Sequence, residues 1–279
     1  MSRPQFQHEA MATTFAIVIA GRRPDYARQA ATAAFRELDR LEGELSRFVE
    51  SSDIARACRL AHGETIAIGD DALECLRLAA EVAAATLGAF DAAYASGPGL
   101  PPGAPRFTLD PAAHTLTSQV ERLQLDLGAI GKGYALDRLA EHLGEWDVTS
   151  ACLHAGGSTA LALDPPDDSA GWPVGIGGSA TIPLARAALS GSGTAVKGSH
   201  LIDPQTGKPA ARTTRVWAHA PTAALSDALS TAFFVFTDAE IRAFCAAHPE
   251  IGAGLLAPEG TLVTHGTLAI RSARPDRAV

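Results

Sequence analysis

The chain has 279 residues, room for one large domain or two small ones at roughly 150 residues per domain. Its 47% hydrophobic and 19% charged residues are those of a globular protein and exclude a disordered or collagen-like chain. A formal charge of -8 with no dense Lys/Arg run gives no footprint for a phosphate backbone, so a nucleic-acid role is not expected.

In chain order, Met1 to Ala10 has no apolar core of the kind a signal peptide carries, and no stretch reaches the 18 or so unbroken apolar residues of a membrane span. A cytoplasmic protein is expected. Thr14 to Ala20 is rich in β-branched and aromatic residues and reads as a buried strand. Asp25 opens a helix in which Leu38, Leu41 and Leu45 form one apolar face, and a second helix runs from Asp70 to Leu87, closed by Gly88. Gly97 to Pro105 is a Gly/Pro-rich loop, and Arg106 to Leu109 with Thr115 to Ser118 make a hairpin.

From Leu123 the pattern is strand, Gly-rich turn, helix (Lys132 to Leu143) and strand (Val148 to His154). Short strands follow to about Ile202, then a strand over Thr213 to Ala220, an apolar helix over Thr222 to Phe236, a helix near Asp238 to His248, and two final strands. Runs of strands broken by a few long helices point to an α+β fold. Cys58, Cys75, Cys152 and Cys245 lie too far apart for a C-x-x-C site and read as small core residues.

Three segments carry chemistry. In Asp126-Leu-Gly-Ala-Ile-Gly-Lys-Gly-Tyr, glycines allow close backbone approach and Lys132 sits where a helix begins, an arrangement suited to an anion; the other reading is a tight turn with a capping Asp. It fits neither the P-loop nor the dinucleotide fingerprint. The three lysines, Lys132, Lys197 and Lys208, all adjoin glycine. In Ser199-His-Leu-Ile-Asp-Pro-Gln-Thr-Gly, His200 is the one histidine in so patterned a context, although most isolated histidines are surface or core residues. On the apolar helix, Asp227 and Thr231 are four apart and so share a face. Carboxylate plus hydroxyl suits Mg²⁺, which shares its shell with substrate phosphates. The alternative has Asp227 in solvent and Thr231 bonded back to a helix carbonyl.

These segments, the first of them continued as Tyr134-Ala-Leu-Asp, with Met11-Ala-Thr-Thr-Phe, Leu45-Ser-Arg-Phe, Gly88-Ala-Phe-Asp, Ala155-Gly-Gly, Ser190-Gly and Ala220-Pro-Thr-Ala-Ala-Leu-Ser-Asp-Ala-Leu-Ser-Thr-Ala, resemble the ApbE family of FAD:protein FMN transferases over nearly the whole chain. The resemblance implies an ApbE-like, T-fold-like α+β domain over residues 1–279, with two subdomains and the FAD site between them as a further option. It implies transfer of FMN from FAD to a Ser or Thr of a target flavoprotein, with release of AMP and with Mg²⁺ on the pyrophosphate. The alternatives are FAD hydrolysis to FMN and AMP, or flavin binding without turnover. By position, Ala129 (through its carbonyl), Asp227 and Thr231 would hold the metal. Met11, Phe90, Asp91, Ala92, Asp126, Lys132 and Leu201 would line the FAD site, and His200 would be the acid-base or phosphate-positioning residue. The chain departs from the family pattern where Ala12 replaces a glycine, Ala92 to Ser96 replaces Pro-Thr-Val-Gly-Pro, Ser158 replaces an aspartate, and Ser192-Gly-Thr-Ala replaces a segment leading to an acidic and aromatic pair.

Overall fold

The computed structural model describes residues 3–96, 104–167, 169–176, 181–193, 215–256 and 260–268. Strands β1 (Gln5–Ala10), β2 (Thr13–Ile19), β6 (Ala151–Ala155), β7 (Thr159–Ala162), β10 (Ala187–Gly193), β11 (Arg215–Ala220), β12 (Gly252–Leu256) and β13 (Leu262–Gly266) lie in that order in one sheet, every neighbour antiparallel. Between them in the chain come β3 (Thr65–Ala67), β4 (Phe107–Asp110) and β5 (Thr115–Ser118), which form a separate sheet in the order β3-β5-β4. A hairpin of β8 (Trp172–Gly175) and β9 (Thr181–Leu184) makes a third.

Alternation along the large sheet sorts its side chains between two cores. Phe15, Ile17, Leu153, Ala188, Val216 and Ala218 face a helical layer. Cys152, Ala160, Leu189 and Trp217 face the β8–β9 hairpin through Trp172, Val174, Ile182 and Leu184. The helical layer consists of α1 (Pro24–Leu45), α3 (Asp70–Ala85), α4 (Gly131–Glu145) and α5 (Ala223–Val235), with the short α2 (Asp53–Ala57) and α6 (Asp238–Ala247) beside it. The α1 stripe includes Leu38, Leu41 and Leu45, all buried as the spacing requires. Helix α5 buries almost every position and shows no polar side, the mark of an element covered all round. All four cysteines are free, three of them buried and Cys58 half-buried.

The α+β architecture agrees with expectation, with local differences. Leu123 to Leu127 is not a strand: its alternate leucines are buried, but its backbone bonds to loops instead of a ladder. There Leu125 N–H donates to Cys58 Sγ at 3.2 Å and Asp126 N–H to the Ala92 carbonyl at 2.8 Å. The strand expected from Val148 begins only at Ala151, and β1, α2 and β3 are elements that the apolar pattern did not mark. The two-residue turn joining β1 to β2 places Met11 at φ 50° and Ala12 at φ 57°. That is the geometry of a tight hairpin turn, which strongly favours glycine. Ala12 is exposed, so Ala12→Gly is expected to stabilise the fold by about 1 kcal/mol, read as a higher urea midpoint at unchanged slope.

Candidate functional site

The site is built where the heads of α4 and α5 meet. Between Gly128 and Gly133 the chain turns into α4 without a side-chain cap, since Ile130 stands at the N-cap. A helix beginning this way leaves N–H groups in need of an acceptor. Asp227, in the first half of α5 and 5% exposed, supplies it: its Oδ2 accepts Gly133 N–H at 3.2 Å. Lys132 Nζ approaches the same oxygen at 3.4 Å and donates to the Gly128 carbonyl at 2.5 Å. The other oxygen, Oδ1, accepts Thr159 Oγ from β7 at 3.3 Å. Asp227 therefore does not point to solvent. Its charge is met by one ammonium, a helix N-terminus and a hydroxyl, which meets the requirement that a buried carboxylate be paired and hydrogen-bonded.

Glycine at position 133 is dictated by the packing, because a Cβ there would lie 2.1 Å from the Ala223 carbonyl oxygen. On the same side of α4, Asp137 Oδ1 accepts Ala223 N–H at 2.7 Å and Oδ2 accepts Ala224 N–H at 2.8 Å. Burial pushes the Asp137 carboxyl up to about 6, against the lowering effect of those two N–H groups. The native state thus takes up this proton near pH 6, whereas the unfolded chain does so near 3.8. The stability owed to this group is full below the lower value and is lost as pH rises through about 6. A carbon-detected NMR titration is expected to show a carboxyl with a midpoint near 6 that disappears in Asp137→Asn.

Of the expected flavin-side residues, several converge on the turn before α4. Asp126 is tied to Ala92 through the backbone bond above; its Oδ1 accepts Gly128 N–H at 2.9 Å and its Oδ2 pairs with Arg47 at 3.2 Å. The aspartate thus shapes the turn itself and does not cap the helix. Asp91 accepts Ala93 N–H at 2.7 Å and Arg106 Nε at 3.2 Å. Phe90 is 2% exposed and Ala92 is buried, and the Ala92 carbonyl is already bonded to Asp126 N–H. Met11, half-buried in the hairpin turn, is held by its N–H to Glu42 Oε1 at 2.8 Å on α1. Ala129 is half-buried in the turn before α4, and Thr231 is half-buried one helical turn after Asp227. His200 and Leu201 lie outside the described residues, as do Lys197 and Lys208.

The residues missed by sequence reasoning are Arg47, Thr159 and Asp137. Arg47 sits over the ring of Phe48, 4.8 Å from its centroid, and Phe48 is 84% exposed. A basic and an aromatic side chain in Leu45-Ser-Arg-Phe were the available signal. Nothing in the sequence near Thr159 marks it, because its role depends on a strand register.

Among the described residues no three His, Cys, Asp or Glu side chains gather as a metal centre. The donor types at the α4–α5 junction nevertheless suit a hard cation that completes its shell with water and phosphate: one carboxylate, one hydroxyl and backbone carbonyls. The Lys132 ammonium already lies between a carbonyl and a carboxylate oxygen there, so the local field favours positive charge.

The fold is shared with solved flavin transferases. The chain aligns with flavin transferase ApbE from Vibrio cholerae at a TM-score of 0.79 and 20% identity, covering 95% of this chain and 98% of that one. It aligns with the Pseudomonas stutzeri flavinyl transferase ApbE at 0.80 and 23%, covering 94% and 93%. The sequence pattern of the ApbE family matches residues 11–97 and 100–255, and the chain belongs to that family. It is also 33% identical over 150 residues to a FAD:protein FMN transferase of Rhodobacter capsulatus; the match spans 48% of this chain and 28% of that protein.

Proposed function

We propose that the protein transfers FMN from FAD to a Ser or Thr hydroxyl of a target flavoprotein and releases AMP, with Mg²⁺ as the metal. The observation that carries this reading is the buried Asp227 carboxylate shared by the head of α4 and the Lys132 ammonium, in a chain of the ApbE family. In the reaction the acceptor oxygen forms a bond to the FMN phosphorus of FAD. The bond from that phosphorus to the bridging oxygen breaks, AMP leaves with that oxygen, and His200 takes the hydroxyl proton. Lys132 brings positive charge to the phosphate oxygens, and Asp126, Asp91, Phe90, Ala92, Met11 and Leu201 line the remainder of the FAD site. Asp227, Thr231 and the Ala129 carbonyl are the proposed metal ligands; when bound, the metal neutralises charge on the pyrophosphate.

No helix of the described residues is long and apolar enough to cross a membrane. The four free cysteines suit a reducing compartment, which supports a cytoplasmic location.

Incubation with FAD, Mg²⁺ and an acceptor flavoprotein tests the proposal. Covalently labelled acceptor is the expected result. Free FMN and AMP without labelled protein would make the enzyme a hydrolase, and unchanged FAD would leave a flavin-binding protein.

A further inference from the structure

Neither α4 nor α5 has an acidic residue in its own first turn. Each takes one from the other. On α5, the N–H of Ala223 is bonded to Asp137, and Asp227 follows Ala223 by four residues; on α4, the N–H of Gly133 is bonded to Asp227, and Asp137 follows Gly133 by four. Residues four apart lie on one helix face, so the two faces form a closed clasp in which each helix presents an N–H group and a carboxylate to its partner. The clasp is tight, with no room for a Cβ at Gly133 against the Ala223 carbonyl.

We infer that Asp137 is a positioning residue: by holding the first two N–H groups of α5 it fixes where Asp227 stands against Gly133 and Lys132. Its side chain bonds to α5 and to neither of them. Its grip on Ala223 and Ala224 sets the axial placement of α5 relative to α4, and the Asp227 carboxylate sits one turn into α5. Glu141 on its own helix and Asp227 across the clasp act on Asp137 as like charges, and among the described residues no cation pairs with it in competition with the two N–H groups. For its effect on FMN transfer the inference rests on the proposed function; for the coupling between helices it does not.

The test is native-state amide exchange on Asp137→Asn without flavin or metal. An asparagine offers one acceptor oxygen where two N–H groups converge. The amides of Ala223 and Ala224 are expected to exchange about tenfold faster or more, and so is Gly133 on the other helix, while β1 and β2 keep their rates. In parallel, the Mg²⁺ dependence of FAD binding is expected to shift to higher Mg²⁺ by about tenfold. Faster exchange at Ala223 and Ala224 with Gly133 unchanged would overturn the inference, because the cap would then be local. Should Asp137→Asn not accumulate folded, Asp137→Glu keeps the charge but displaces it by a methylene, and the same three amides decide. A wild-type chain that fails to label an acceptor would sink the transferase reading and leave the exchange result standing; an active wild type whose Gly133 amide ignores Asp137 would sink only this inference.

Discussion

Asp227→Asn is expected to keep the fold and to remove most of the metal response. The substitution is nearly isosteric, so Gly133 N–H can still find the amide oxygen while the Thr159 hydroxyl turns to accept from the amide nitrogen, but the charge that faces Lys132 at 3.4 Å is gone. Two consequences follow from one change. The Lys132 ammonium is left without its carboxylate and stays with the Gly128 carbonyl, and the proposed metal loses its only anionic protein ligand. The Mg²⁺ concentration for half-maximal turnover should rise by at least the roughly 10-fold to 100-fold that loss of a mere supporting partner costs a metal site. FAD affinity should fall only when Mg²⁺ is present. Activity and FAD binding titrated against Mg²⁺ in both proteins check this, and superimposable curves would take Asp227 out of the metal site.

The second large effect is on stability. In an ordinary helix Gly→Ala is favourable by about 1 kcal/mol. At Gly133 the added carbon would meet the Ala223 carbonyl oxygen at 2.1 Å and the Ala224 nitrogen at 2.8 Å, both backbone atoms that no side-chain rotation can clear. The two helices would have to part, and with them the bonds that Asp137 and Asp227 make. Gly133→Ala is therefore expected to destabilise by about 3 kcal/mol or more, the upper end for overpacked interiors. Urea unfolding measures it, and the sign alone discriminates: a stabilised variant would mean that the helices do not approach as described.

These two positions show how far the sequence could be read. A carboxylate on the apolar run Ala223–Val235 requires a counter-charge, and that inference survives: Asp227 is buried and paired. The identity of the partners was not legible, because Lys132 and Gly133 are some 95 residues away and Thr159 reaches Asp227 only through the placement of β7 under α5. The phosphate-like turn was legible as glycines before a helix. What the pattern could not show is that the helix head is shared with a side chain of the protein itself. Asp137 closes the segment Asp126 to Asp137 that resembles the family, but its role was not legible for a related reason. In sequence it is one polar residue between Leu136 and Arg138, and only the packing of α4 on α5 turns it into a cap. Strand β1 escaped because Gln5, Gln7 and Glu9 alternate with only two clearly apolar residues, Phe6 and Ala10, at a sheet edge. Leu123 to Leu127 reads as a strand because alternate burial produces the same pattern whether the backbone bonds to a ladder or to loops.

The placement of the thiols has a practical consequence for work on the native chain. Burial raises all four: Cys152 is pushed up to about 12, Cys245 to about 11, and Cys75 and Cys58 also move upward. Since only a thiolate alkylates at a useful rate, the three buried thiols of the folded protein are expected to react slowly with maleimides and iodoacetamides at neutral pH, and half-buried Cys58 is the first of the four expected to react. A cysteine introduced at an exposed position would then carry most of a fluorophore or spin label, with Cys58 the one native thiol worth replacing first. The three buried ones become a clock for opening, because each joins the labelled population only when the core around it has come apart.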